Sequence, residues 1–298
     1  MEGWTKDYEA QANAVADALR TRLQEPMRAW MTAQQLEGLQ PLGLQMALAA
    51  EPTPLTEARV LRQIPYQAAP AATELLAALD GKGLLTPVDG GYLLTAQGHA
   101  ALDEMMATVM TTLGGLPSFD GAETLAALLY RLVEASERSP IDSYTLQGSR
   151  AFDPGDEAPV WARIRRYLGD LAAFRDDAHV AAWQPYDLAG YQWEAFSHIW
   201  GRKIWGRPVD TAAALAEKLG FRGYDLAAIQ QGLDSLVERG WLEQEAQTYR
   251  LSSRGLQIRE AAEAATDTLC YGVWDLSPAE GEQILDLLRQ AKDCLDTA

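Results

Sequence analysis

The chain has 298 residues, 48% hydrophobic and 22% charged, with a net charge of −17 and a pI near 4.6. That length accommodates two domains of ordinary size, and the balance of apolar and charged residues excludes wholesale disorder. The acid excess is spread over both halves, so neither is a basic arm that binds nucleic acid by phosphate neutralisation alone.

Two cysteines, Cys270 and Cys294, are too few for a disulfide framework or a structural zinc site. The histidines, His99, His179 and His198, show no metal-ligand spacing, so neither a metal nor a cofactor is expected. The sequence starts without a charged-then-apolar leader and has no apolar run of roughly 18 residues. The expected location is the cytoplasm, with no membrane partner.

In chain order, Tyr8, Ala12, Val15, Leu19 and Leu23 form one stripe of a helix over 4–36, with an interruption expected near Pro26. Helices follow over Leu42 to Ala50 and Thr56 to Ile64, and Ala71 to Asp80 is the first candidate recognition helix. Asp89-Gly90-Gly91 turns a hairpin between Leu84-Leu85 and Tyr92-Leu93-Leu94. Helices over about Ala96 to Leu113 and Ala122 to Ala135 come next. Residues 136–158 are polar, proline- and glycine-bearing and without periodicity, and are expected to be a connection.

After it come helices over Trp161 to Trp183 and Tyr191 to Trp200, a long loop, and Thr211 to Leu219 with Asp210 as the expected cap. Leu226, Ile229, Leu233, Leu236 and Val237 then give one apolar face of a second recognition helix, which Gly240 stops. Trp241-Leu242 and Tyr249-Arg250-Leu251 form a second hairpin around a polar turn. Helices over Arg254 to Leu269 and from a Ser277 cap to about Asp296 close the chain.

Helix, glycine and hairpin occur twice. Leu76, Leu79, Gly83, Leu85, Tyr92, Leu94 and Gly98 recur 157 residues later, without a gap, as Leu233, Leu236, Gly240, Leu242, Tyr249, Leu251 and Gly255. That agreement points to an internal duplication. The fold class is therefore mainly α, with two tandem winged helix-turn-helix repeats, flanking helices and small β-hairpin wings. The expected organisation is a first repeat with N-terminal helices over 1–140, a linker over 141–158 and a second repeat over 159–298. Such a duplication offers a two-fold-like arrangement within one chain.

A winged helix places its second helix in the DNA major groove. In the second repeat Gln230 and Gln231 are candidates for reading adenine edges, and Lys218, Arg222, Arg250 and Arg254 for holding phosphates. Ordinary solvated side chains explain the same residues, and the recognition helix also carries Asp225, Asp234 and Glu238. The first recognition helix has Glu74 and Asp80 and no basic residue, which suits a structural or interacting role. Six of nine tryptophans fall from residue 183 onward: Trp183, Trp193, Trp200, Trp205, Trp241 and Trp274. Trp183, Trp193 and Trp200, with His179, are candidates to line a pocket for a small apolar ligand; core packing at helical spacing is the alternative. Arg175, Asp176, Asp177 and His179 fit an ion-pair cluster on one helix, and no nucleophile or third metal ligand accompanies them, so no enzyme is expected.

Thr211 to Gly255 resembles the DNA-binding half of MarR-type regulators, in which a leucine-rich helix, a glycine and a wing lead into a helix through Thr/Ser-x-x-Gly. Both Thr95-x-x-Gly98 and Ser252-x-x-Gly255 match; Glu243 and Glu245 stand where those regulators usually carry wing-tip arginines. Phe174 to Trp183 (FRDDAHVAAW), Arg259 to Asp267 and Trp274, with Pro54-Leu55, Val60, Tyr66 and Pro70-Ala71, resemble an actinobacterial SalK-like winged-helix group. That resemblance implies the fold and no catalytic residues. The expectation is a transcriptional regulator, or ligand-responsive DNA-binding protein, that contacts DNA through the second repeat. The alternative is a winged-helix module that binds a protein or small molecule and no DNA.

Overall fold

The computed structural model describes residues 2–201 and 209–297; Trp205 and most of the loop after Trp200 lie outside them. Helix α1 (Glu2–Ala33) leads to a first winged unit of α2 (Gln40–Ala50), α3 (Glu57–Gln63), α4 (Ala69–Gly81), β1 (Leu85–Val88) and β2 (Gly91–Leu94). Next come α5 (Ala96–Gly114), α6 (Ala122–Glu137), α7 (Tyr144–Arg150) and α8 (Val160–Trp183). The second winged unit comprises α9 (Gly190–Trp200), α10 (Ala212–Leu219), α11 (Leu226–Glu238), β3 (Leu242–Glu245) and β4 (Thr248–Leu251). Helices α12 (Ser253–Tyr271) and α13 (Pro278–Thr297) end the chain. The fold is mainly helical with two small antiparallel hairpins, as winged helix-turn-helix units require.

The same local chemistry builds both wings. Leu85 pairs with Leu94 in one hairpin and Leu242 with Leu251 in the other. Thr95 caps α5 by accepting from Gly98 N, and its hydroxyl donates back to the Gly83 carbonyl at 2.6 Å. Ser252 does the same for α12 with Gly255 N and the Gly240 carbonyl, the latter at 2.7 Å. The glycine of each Thr/Ser-x-x-Gly is required by close approach. A Cβ on Gly98 would stand 2.3 Å from the Leu84 carbonyl oxygen, and one on Gly255 would stand 2.0 Å from that of Trp241.

Each winged unit has its own apolar core, the first around Leu44, Leu55, Leu76 and Leu79, the second around Trp193, Phe196, Leu233 and Leu236. A third core is formed by the bundle helices α1, α5, α6, α8, α12 and α13, which bury Val15, Leu113, Leu129, Trp161, Phe174 and Leu288. Helix α1 runs unbroken through Pro26, against the expected interruption. Proline forfeits one ladder bond there. Leu23 before it is anchored in the bundle core and Trp30 after it in the first winged core, so packing on both sides holds the helix together.

The polar stretch expected as a connection also folds. It carries α7, whose Leu146 is fully buried, and whose first turn is capped from α8: Asp177 accepts from Thr145 N and Leu146 N, each at 2.9 Å. Beside it the buried Asp170 carboxylate accepts from Ser149 at 2.6 Å and pairs with Arg150 and Arg166, each at 3.1 Å. Among the described residues no helix is long and apolar enough to cross a membrane.

Gly255→Ala should lower stability by about 1–3 kcal/mol through backbone overpacking, read as a lower denaturation midpoint at unchanged slope. Gly81→Ala, where a Cβ meets nothing within 4 Å, should be neutral or mildly stabilising.

Candidate nucleic-acid interface

The second helix-turn-helix is assembled from caps. Thr211, rather than the expected Asp210, caps α10 by accepting from Ala214 N at 3.2 Å; the Asp210 carbonyl is engaged instead by Tyr249 N at 2.7 Å. The turn ends at Gly223 with φ +82°, and Asp225 caps α11 by accepting from Ala228 N at 2.8 Å. Ile229, Leu233 and Leu236 are fully buried beneath α11, and Gly232 lets Tyr191 of α9 approach. Leu226, expected on that apolar face, points outward and is 50% exposed, close in sequence to Phe221 at 67%. As the first residue after the cap it precedes the turn that faces the core.

The candidate DNA-contacting residues have different surroundings. Lys218 and Gln231 are exposed, on the last turn of α10 and the outer face of α11, and Arg254 is exposed on the first turn of α12. Arg250 projects from the wing and pairs with Glu243 across the hairpin at 2.9 Å. Arg222 is turned inward to a two-pronged pair with Glu194 at 2.8 and 3.0 Å, a geometry that occupies its guanidinium. Gln230 donates to Asp234 at 2.8 Å and to the Tyr249 hydroxyl, which binds its amide to the wing. Residues 211–255 carry five basic and six acidic side chains, so the potential comes from placement rather than net charge.

The two winged units meet beside their recognition helices. Ala68 N–H, just before α4, donates to the Arg222 carbonyl at 2.8 Å, and the Tyr224 hydroxyl donates to the Gln67 carbonyl at 3.2 Å. Gly190 at the start of α9 admits Pro65 so closely that a Cβ would stand 2.0 Å from its carbonyl oxygen. The starts of α4 and α11 are thereby held together.

The model of a helix-turn-helix family matches residues 100–298. The chain belongs to that helix-turn-helix family. The match covers the second winged unit and the bundle helices from α5 onward and leaves the first winged unit outside. No curated protein and no solved structure matches the chain.

In this helix-turn-helix protein the tryptophan candidates form packed layers. Trp183 stacks on Trp193 at 5.8 Å between ring centres, Tyr186 stacks on Trp193 at 5.9 Å, and Trp183 and Trp193 are nearly inaccessible. Trp200 and Trp193 instead receive Arg259, whose guanidinium lies 4.6 and 4.9 Å from their ring centres and pairs with Glu263 at 2.6 Å. Arg259 and Glu263 are the site residues that sequence reasoning did not single out. Their i,i+4 spacing on α12 is the signal that marks them.

His179 completes this cluster. Trp193 Nε1–H donates to its Nε2 at 3.1 Å, and since the Thr266 hydroxyl donates to the Ala262 carbonyl, Nδ1–H donates to Thr266 at 3.2 Å. The imidazole is thus held neutral. Burial, reinforced by Arg259, pushes its pKa down to about 4. Asp177 is spent on capping α7, and among the described residues no three His, Cys, Asp or Glu side chains gather as metal ligands.

An unfolded histidine takes up its proton near pH 6.5, whereas folded His179 resists until about pH 4. Acid therefore favours the unfolded chain, and this contribution, on the order of 3 kcal/mol, is full above pH 6.5 and lost progressively below it. The fall in unfolding free energy between pH 7 and pH 5 should be smaller in His179→Gln than in the wild type. An equal fall would show that His179 is not the titrating group.

Proposed function

We propose that the chain is a cytoplasmic transcriptional regulator, rather than an enzyme, that contacts DNA through its second winged unit. The observation that carries this is the outward face of α11, exposed at Ala227 and Gln231, with Lys218, Arg250 and Arg254 on neighbouring elements. Membership of a helix-turn-helix family, through a match that includes this unit, supports the same reading. The likeness of Ser252-x-x-Gly255 and its wing to MarR-type regulators, and of α8 and α12 to the SalK-like group, supports a regulatory ancestry. The matched caps of α5 and α12 support an origin of the two units by duplication. In this reading the first unit serves assembly, and a ligand acts by changing how the second unit is presented.

A second reading is a protein-interaction module without DNA binding. Phe221 in the turn before α11 and Leu226 on its first turn, both exposed, favour it, as do the carboxylates of Asp234, Glu238, Glu243 and Glu245.

Binding to fragments of the chain's own upstream region, measured by fluorescence anisotropy across salt concentrations, separates the two. Glu243→Gln should tighten binding several-fold by releasing Arg250 and removing a charge that repels phosphate. Arg250→Ala/Arg254→Ala should weaken it and lower the salt slope by up to about 2. No binding at low salt, where phosphate attraction is strongest, would overturn the DNA reading and leave the interaction module.

A further inference from the structure

The bundle carries an open groove of about 1030 Å³ between α1, α8 and the end of α12. None of its lining residues comes from a recognition helix or a hairpin, so it is separate from the candidate DNA face. Leu168 and Ala172 give part of it an apolar lining, and Asn13, Thr21 and Gln24 bring amide and hydroxyl groups from α1.

Most of its charges are satisfied by the protein. Arg20 pairs with Asp17 at 2.9 Å, Arg175 with Glu9 at 2.7 Å, and Arg166 with Asp170 at 3.1 Å. Two are not. Arg165 and Asp176 line the groove, stay accessible to solvent, and make no hydrogen bond or ion pair among the described residues. They are eleven residues apart on α8, about three turns, which sets them on one face with their backbones about 16 Å apart. Both charges are disfavoured where they sit. Desolvation by the surrounding groove walls, with neighbouring Arg166, pushes Arg165 down to about 10, and the same desolvation pushes Asp176 up to about 6. A partner of opposite sign at each end would relieve both.

We propose that this groove binds a linear zwitterion, a short peptide with free termini, its carboxylate on Arg165 and its ammonium group on Asp176. An extended chain advances about 3.3 Å per residue, so about five residues span the two charges. The amide side chains of Asn13 and Gln24 supply the hydrogen bonds that a peptide backbone needs and an apolar ligand does not. The proposal is independent of DNA binding.

Titration calorimetry of the full chain with Gly/Ala peptides of three to eight residues tests it. Binding should be saturable, with an optimum near five residues. N-acetylation or C-amidation of the best peptide should each weaken it at least tenfold. Amidation should make no further difference in Arg165→Gln, nor acetylation in Asp176→Asn. Neither side chain makes a hydrogen bond or ion pair among the described residues, so the variants should melt like the wild type, which circular dichroism checks. No saturable heat at millimolar peptide, or an affinity indifferent to the end groups or to both substitutions, would overturn the proposal.

Discussion

The contact between the segment Pro65 to Ala68 and the turn before α11 fixes what this molecule can do. One backbone hydrogen bond, from Ala68 to the Arg222 carbonyl, joins the start of one recognition helix to the turn that starts the other. Tyr224 adds a second bond, and Arg222 lies over the Tyr66 ring at 5.5 Å while its guanidinium is held by Glu194. The closeness is possible because Gly190 presents no side chain to Pro65. With the segments before the two helices joined there, the winged units touch each other directly at one junction. The Arg222 guanidinium is engaged by Glu194 at this junction rather than offered to phosphate.

The bundle explains why the junction holds. Helix α8 buries Trp161, Ile164, Leu171 and Phe174 in the central core and sends Trp183 into the second winged core. Helix α1 makes the corresponding link to the first unit, with Leu19 and Leu23 in the bundle and Trp30 beyond Pro26 in the winged core. Two buried polar groups along this route have their bonds complete: Asp177 is held by the first turn of α7, and His179 by Trp193 and Thr266. Buried groups of this kind rigidify a core when their bonds are complete.

The parts of this architecture written in local signals were legible in the sequence. Ser252 and Thr95 announce helix starts, Gly240 and Gly83 announce stops, and the spacing of Ile229, Leu233 and Leu236 gives a buried face. What escaped depends on partners far along the chain. Nothing near Arg222 shows that Glu194 will hold it, and nothing near Gln230 shows that Tyr249 will. Asp177 looked like part of an ion-pair cluster because its partners are backbone amides 31 and 32 residues earlier, in a stretch with no periodicity of its own. Leu226 was misplaced for a different reason: it shares the helical phase of Leu233 but stands on the first turn of α11, beyond the edge of the packed core. The tryptophans were legible as aromatic helix faces, but whether such faces close on one another or around a ligand is a matter of packing that spacing does not encode.

The most direct test of the junction is the distance between spin labels at Thr73 on α4 and Gln231 on α11, measured by double electron–electron resonance with and without bound DNA. Both positions are exposed, so the labels leave the core intact. The account predicts one narrow distance, shorter than the roughly 34 Å between successive major-groove sites and unchanged by DNA. A broad distribution, or a shift on DNA binding to that spacing, would contradict it.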